Sequence, residues 1–192
     1  MSWQIVGSPT DINGEDSGNQ SGSSVSLSAD GSVIAIGAKY NDGNGSNSGH
    51  VRIYKNVDNI WTQVGADIDG EDRMSQSGHS VSLSSDGSVV AIGAKNNDGN
   101  GINSGHVRIY KNVNNSWTQV GGDIDGEATL DISGESISLS ADGSVIAIGA
   151  PGNDGNGRAS GHVRIYKNLD NIWTQVGADI DGENPYDHSG SS

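Results

Sequence analysis

Apolar and polar positions in this chain alternate in short bursts separated by polar loops. In Ser80-Val81-Ser82-Leu83-Ser84 the period is two, which places Val81 and Leu83 on one face of a strand. Asp86-Gly87 follows, and Asp-Gly between two such runs signals a hairpin, because Gly accepts the positive φ that the turn requires. Ser88–Ala94 (SVVAIGA) is a longer apolar run with small residues at Ala91, Gly93 and Ala94, as expected of a strand covered on both faces. After a polar loop, His106–Val113 alternates again, with Val107 and Ile109 opposite Arg108 and Tyr110. A short turn leads to a fourth run at 116–121, and no stretch carries the 3.6-residue period of a helix.

The stretch Ser80–Tyr110 occurs three times, as Ser24–Tyr54, Ser80–Tyr110 and Ser136–Tyr166, each copy starting 56 residues after the last (24, 80, 136). The fold must therefore be one supersecondary unit used repeatedly. Strands are predicted at 24–28, 32–38, 50–57 and 60–65, then 80–84, 88–94, 106–113 and 116–121, then 136–140, 144–150, 162–169 and 172–177. Four-stranded antiparallel meanders set radially are the blades of a β-propeller. Solenoid repeats, at roughly 20–45 residues, are usually shorter. The predicted fold is all-β, with β-propeller blades near 24–65, 80–121 and 136–177. An extra N-terminal strand at 3–7 (WQIVG) matches the fourth strands beginning at Trp61, Trp117 and Trp173. Residues 178–192 read as the start of a further unit, since Ser189-Gly190-Ser191-Ser192 repeats Ser21-Gly22-Ser23-Ser24; the whole of 1–192 is one repeat region.

Lys and Arg total 10 against 24 Asp and Glu, a net charge of −14. Binding to a nucleic-acid backbone needs clustered cations, so no nucleic-acid partner is expected. No apolar run approaches the ~18 residues of a membrane helix, so no membrane insertion is expected. The chain has no Cys, which removes disulfides, thiolate metal sites and a thiol nucleophile. The opening MSWQIVG is not a signal peptide.

Acidic loops are the first candidates for chemistry. Asp67-Ile68-Asp69-Gly70-Glu71 recurs as Asp123, Asp125 and Glu127 and as Asp179, Asp181 and Glu183, with Asp11-Ile12-Asn13-Gly14-Glu15 at the start. Three carboxylates in five residues suit calcium; the same segment also reads as a connector with Ile68 in the core and its charges solvated. Asn41-Asp42-Gly43-Asn44-Gly45 and its copies suit calcium or, with residues that tolerate left-handed backbone, a turn. A catalytic carboxylate pair is expected once in a chain, whereas these recur in every unit. The equivalent His50, His106 and His162 could converge on an axis as a metal site, but each stands two residues from an Arg (Arg52, Arg108, Arg164) and reads as ordinary structure. His79 and His188 carry no pattern, and the tryptophans are expected to pack against neighbouring blades. The few non-repeated residues, chiefly Arg73-Met74, Thr129-Leu130 and Pro185-Tyr186, do not resemble a catalytic cluster.

Taken together, these motifs resemble the FG-GAP repeat family of integrin-α-like propellers, of the bacterial and marine array type, over nearly the whole chain. Ser77-Gly78-His79-Ser80-Val81 stands where family units carry Phe-Gly-x-Ser-Val, with Ser in place of Phe. Gly149-Ala150-Pro151 matches the end of the family's second strand, and Gly105–Tyr110 matches its Gly-x-Val-x-Val-Tyr strand. The resemblance implies an extracellular or cell-surface setting. The family's calcium loop lies between its first two strands. Here that hairpin holds one carboxylate (Asp30, Asp86 or Asp142), too few for calcium, so that site is not carried over.

Three blades fall short of the four to eight that close a ring, so the ring is expected to close by homo-oligomerisation, a dimer making six blades being favoured, or within a longer array. The expected function is a non-catalytic scaffold or recognition module for a protein or glycan. The alternative is a calcium-dependent adhesive or glycan-binding module.

Overall fold

The computed structural model describes residues 11–192; the predicted strand at 3–7 lies outside the described residues. Three sheets follow one another along the chain. The first contains β1 (Ser24–Leu27), β2 (Val33–Ala38), β3 (His50–Val57), β4 (Ile60–Gln63) and β5 (Ile68–Asp69). The second contains β6 (Ser80–Leu83), β7 (Val89–Ala94), β8 (His106–Val113), β9 (Ser116–Gln119) and β10 (Ile124–Asp125). The third contains β11 (Ser136–Leu139), β12 (Val145–Ala150), β13 (His162–Leu169), β14 (Ile172–Gln175) and β15 (Ile180–Asp181). Among the described residues there is no helix. The architecture is all-β, with propeller-like blades of four antiparallel strands plus one short strand.

Local chemistry sets each turn. In the first hairpin Asp30 accepts hydrogen bonds from the Ser32 N–H and from the hydroxyls of Ser28 and Ser32, which hold its carboxyl down to about 2. Gly31 takes a φ of 71°. The turn between β3 and β4 places Asp58 and Asn59 at φ 52° and 63°, both left-handed, as a two-residue hairpin of primed type requires.

The short fifth strand was not anticipated from the sequence. In the first blade β4 pairs with Tyr54–Val57, the far half of β3, and leaves the near half free for β5, where Ile68 faces Val51 and Asp69 faces His50. Two residues are too short to show a period, so this pairing left no trace in the alternation pattern. It turns the acidic linker back onto the sheet and buries Ile68 and Ile124.

The core lies between blades. Val33, Val51, Ile53 and Ile68 of the first blade pack against Leu83, Val90, Ile92 and Tyr110 of the second. Val89, Val107, Ile109 and Ile124 meet Ile146, Ile148 and Tyr166 of the third in the same way. Two tryptophans pack as expected: Trp117 closes the first layer and donates its indole N–H to the Val64 carbonyl at 2.8 Å, and Trp173 does the same to Val120 in the second. Along the inner strands, Ala29 N–H donates to the Ser85 carbonyl and Ser85 N–H to that of Ala141, both at 2.8 Å.

This approach explains the repeated Gly-Ala. A Cβ on Gly93 would collide with the Ser80 hydroxyl and with the carbonyl of Gly134, at the entry to the next blade. Gly93→Ala should therefore lower unfolding free energy by about 1–3 kcal/mol in urea titrations. Gly122→Ala, where a Cβ meets nothing within 4 Å, should stay within about 0.5 kcal/mol of the parent.

Candidate metal centres between blades

Each blade's third strand begins with a histidine that the pairing of β5, β10 or β15 roofs over. His50, His106 and His162 are at most 2% exposed. Each meets one carboxylate from the linker after its own blade and one from the linker before it. The trios are Glu15–His50–Asp67, Glu71–His106–Asp123 and Glu127–His162–Asp179, with donor atoms in each trio lying within 4.8 Å of one another.

The distances fit ligation better than hydrogen bonding. The Nδ1 to Asp separations are 3.5 Å at His50, 3.6 Å at His106 and 3.5 Å at His162. Nδ1 lies 3.7 Å from Glu15 and, in the second trio, 3.9 Å from Glu71. An N–H···O bond spans about 2.7–3.2 Å. Two donors on a tetrahedral ion at roughly 2.1 Å stand about 3.4 Å apart. Both ring nitrogens of His106 and of His162 are buried and have no hydrogen-bond partner. Leaving a buried polar atom unsatisfied costs about 1–3 kcal/mol, and a cation shared by the trio would relieve Nδ1.

The electrostatics agree. Burial, then the adjacent Arg108, pushes the His106 imidazole down to about 4, so it stays neutral and able to ligate. Burial raises the Glu71 carboxyl above its usual range, as expected of an anion lacking compensation, although Arg108 opposes the shift. The guanidinium does not block the trio. Arg108 Nη1 lies 3.3 Å from Glu71 Oε1, while Oε2 is the oxygen that faces His106. Its Nη2 donates to the Asp69 carbonyl at 2.7 Å. A histidine two residues from an arginine was read above as ordinary structure. In the fold the arginine orients the glutamate that the histidine faces.

The acidic motif does not form one site. Asp67, Asp123 and Asp179 join the trio of their own blade, whereas Glu71 and Glu127 join the trio of the next. Glu183 belongs to no trio among the described residues. Asp69, Asp125 and Asp181 pair in register with the three histidines, and Asp125 Oδ1 lies 4.0 Å from His106 Nδ1. Glu15, which the sequence shows only as the end of the motif's opening copy, joins the first trio. Asn41–Gly45 is a turn: Asn41 Oδ1 accepts the Gly43 N–H, and Asp42 Oδ1 accepts the Asn47 N–H. Around the first trio opens a polar cleft of about 530 Å³ lined by Glu15, Asn19, Asn41, His50, Asp67 and Asp69.

One polar cluster breaks the repeat. His79 Nε2 lies 3.1 Å from Glu135 Oε1, and Lys95 Nζ lies 2.9 Å from Glu135 Oε2. The positions equivalent to His79 and Glu135 hold Ser23 and Ser191, and those equivalent to Lys95 hold Lys39 and Pro151. Single substitutions in neighbouring blades meet here, which no inspection of one unit could show.

No protein-family model matches the chain, and no curated protein matches it in sequence. Solved structures do match in fold. Sqt1 of Saccharomyces cerevisiae is similar with a TM-score of 0.55 at 12% identity, covering 87% of this chain and 38% of that one. A putative 6-phosphogluconolactonase from Bacteroides uniformis is similar with a TM-score of 0.54 at 17% identity, covering 85% and 42%. The periplasmic gluconolactonase PpgL of Pseudomonas aeruginosa gives 0.52 at 15% identity, covering 81% and 45%. The chain thus spans less than half the length of each of these structures.

These likenesses point away from the expected non-catalytic scaffold, and no observation speaks directly for the adhesive or glycan-binding alternative. Two of the similar structures are named as lactonases, so the architecture is one that carries enzymes. The recurring residues converge across blade boundaries with a buried histidine, and His79 and Glu135, which the repeat does not share, meet Lys95 in a polar cluster.

The His79 hydrogen bond, reinforced by Lys95, holds the Glu135 carboxyl down to about 2 from its ordinary 4.5. A folded value below the unfolded one gives stability that is complete above about pH 4.5 and is lost as pH falls toward 2. Glu135→Gln should therefore melt below the parent at neutral pH, and the gap should close across that window in thermal scans.

Proposed function

We infer that the protein is a metal-dependent hydrolase whose inter-blade trios hold a divalent cation and whose substrate is a small cyclic ester of a sugar acid. The observation that carries this is the His106 imidazole, fully buried with neither nitrogen partnered and Nδ1 at ion-sharing distance from Glu71 and Asp123. The substrate class rests on the lactonase names of two structures similar in fold. Within the propeller architecture, the Gly-Ala and Gly-x-Val-x-Ile-Tyr motifs support an FG-GAP-like blade, for which an extracellular or surface setting is the natural one.

One imidazole and two carboxylates suit Zn²⁺ or Mn²⁺ better than calcium, which takes six to eight oxygens. Three protein donors leave a position for water or substrate, and a cation there supplies Lewis acidity. Arg108 holds one oxygen of Glu71 and so orients the other. A cleft of about 340 Å³ lined by Asp123, Asp125, Tyr166 and Trp173 lies against the same Asp123. It is near the small end of ligand pockets, roughly 300–1,000 Å³. Its aromatic walls suit the apolar face of a sugar-acid ring, and its carboxylates suit the hydroxyls. Hydrolysis adds one water across the acyl C–O bond of the ring. The water oxygen bonds the carbonyl carbon, the acyl C–O bond breaks, the ring oxygen leaves with one of the water's protons, and a hydroxy carboxylate results as the other proton is taken up and passed to solvent. Asp125, beside the trio, is placed to hold the water's other proton.

The test is gluconolactone hydrolysis followed by pH-stat after chelation and again after adding Zn²⁺ or Mn²⁺. Turnover above the buffer blank should appear only with metal, and Asp123→Asn should weaken metal binding at its trio by about 10- to 100-fold. Metal bound at the trios with no turnover above the blank would remove the hydrolytic reading.

A further inference from the structure

The two internal blade contacts are built from the same residues, and the outer blades present the two halves of that contact again. On the third blade, the face that would receive a following blade is open. Ile180 is 55% exposed, whereas its equivalents Ile68 and Ile124 are 6% and 5% exposed beneath the next blade. Val145 and Ile165 are half-buried where Val33, Val89, Ile53 and Ile109 are buried. A Cβ on Gly65 or Gly121 would strike the indole of Trp117 or Trp173, but at Gly177 it would meet nothing within 4 Å.

The first blade presents the other half. Val25 and Leu27 are 60% and 58% exposed, whereas Leu83 is buried against the first blade and Val81 packs on the same core. The polar pattern matches too. Leu83 N–H donates to Ser26 Oγ and Leu139 N–H to Ser82 Oγ, both at 3.0 Å, so the next members of the series are Leu27 N–H and Ser138 Oγ. Arg108 and Arg164 donate to the carbonyls of Asp69 and Asp125, and the next acceptor in the series is the Asp181 carbonyl.

We propose that the outer face of the third blade docks the first blade of a second copy of this chain, and that two copies close head to tail into a six-bladed ring. The occupant is set by identity of chemistry, because the open faces repeat the residues of an interface seen twice within the chain. Two copies give six blades, within the four to eight that close a propeller; three copies would give nine. A twofold ring satisfies both open faces at once.

The docking also completes a half-built trio. Glu183 is the counterpart of Glu71 and Glu127, but no histidine of the same chain faces it among the described residues. In the ring it stands at the second copy's His50 and Asp67. There Glu15 and the Asn13 carbonyl of that copy already serve His50 and Arg52. Residues 179–183 of one copy and 11–15 of the other are thus alternative donors to one site, and closure exchanges the second for the first. The proposal does not depend on hydrolysis and stands or falls by mass alone.

The experiment is light scattering on the full chain, with Ile180→Asp and Ile172→Asp beside the parent. Ile172 is 66% exposed and its first-blade equivalent Ile60 is 53% exposed, so this position lies on the outer rim of every blade. The parent and Ile172→Asp should have twice the 19.7 kDa chain mass, and Ile180→Asp should have the single-chain mass with its circular dichroism unchanged. A parent of single-chain mass, a ladder of larger species, or a dimer that survives Ile180→Asp would each overturn the proposal.

Discussion

Successive blades must touch backbone to backbone, and the rest of the structure follows from that contact. Gly93 and Gly134 approach so closely that no Cβ fits at Gly93, and this closeness brings Ser85 N–H to the Ala141 carbonyl and Arg164 to the Asp125 carbonyl. The apolar layers are shared in the same way, half from each neighbour. A single blade therefore has two faces and no core of its own. Stability in such an array comes from interfaces between units more than from the units themselves. The chemistry is subject to the same rule, since each trio takes its glutamate from one linker and its histidine and aspartate from the blade that follows.

The acidic charge divides into committed and uncommitted groups. Asp30 and Asp142 are neutralised by hydroxyls and N–H groups of their own hairpins, which hold both carboxyls down to about 2. Asp42, Asp98 and Asp154 accept backbone N–H bonds that fix the long loops. At each histidine stands a further carboxylate pair, whose aspartate also accepts a bond from Gln63, Gln119 or Gln175. Arg52, Arg108 and Arg164 reach one glutamate oxygen at 3.8, 3.3 and 3.1 Å, and the other faces the trio. Two carboxylates against one guanidinium leave each site short of positive charge, which a divalent cation would supply.

The blades were legible in the sequence because a strand with one covered face writes a period of two and Asp-Gly marks its hairpin. Trp117 was legible as an inter-blade residue because a large ring in a chain without Phe has few other uses. The trios were not. In a repeated sequence every residue recurs, so recurrence cannot separate a ligand from a turn. Asp67 and Glu71, adjacent in one motif, serve different sites. The two-residue β5 that turns the linker toward His50 is too short to leave a pattern, and without it the histidine appears to stand beside nothing but Arg52.

Repetition and catalysis are compatible once the site lies between units. A residue that recurs within a unit makes as many sites as there are neighbours to complete them, so equal trios follow directly from equal blades. They need not be equal in use. His79, Lys95 and Glu135 join only the second and third blades, where the equivalent places elsewhere hold Ser23, Lys39, Ser191 and Pro151. Asp123 of the second trio also lines the cleft walled by Tyr166 and Trp173. The middle of the array is thus where repeated metal-type donors, an aromatic wall and the non-repeated charge cluster all fall on fully built interfaces. A site that needs a blade on both sides is best formed there, and the ends gain the same status only when another blade covers them.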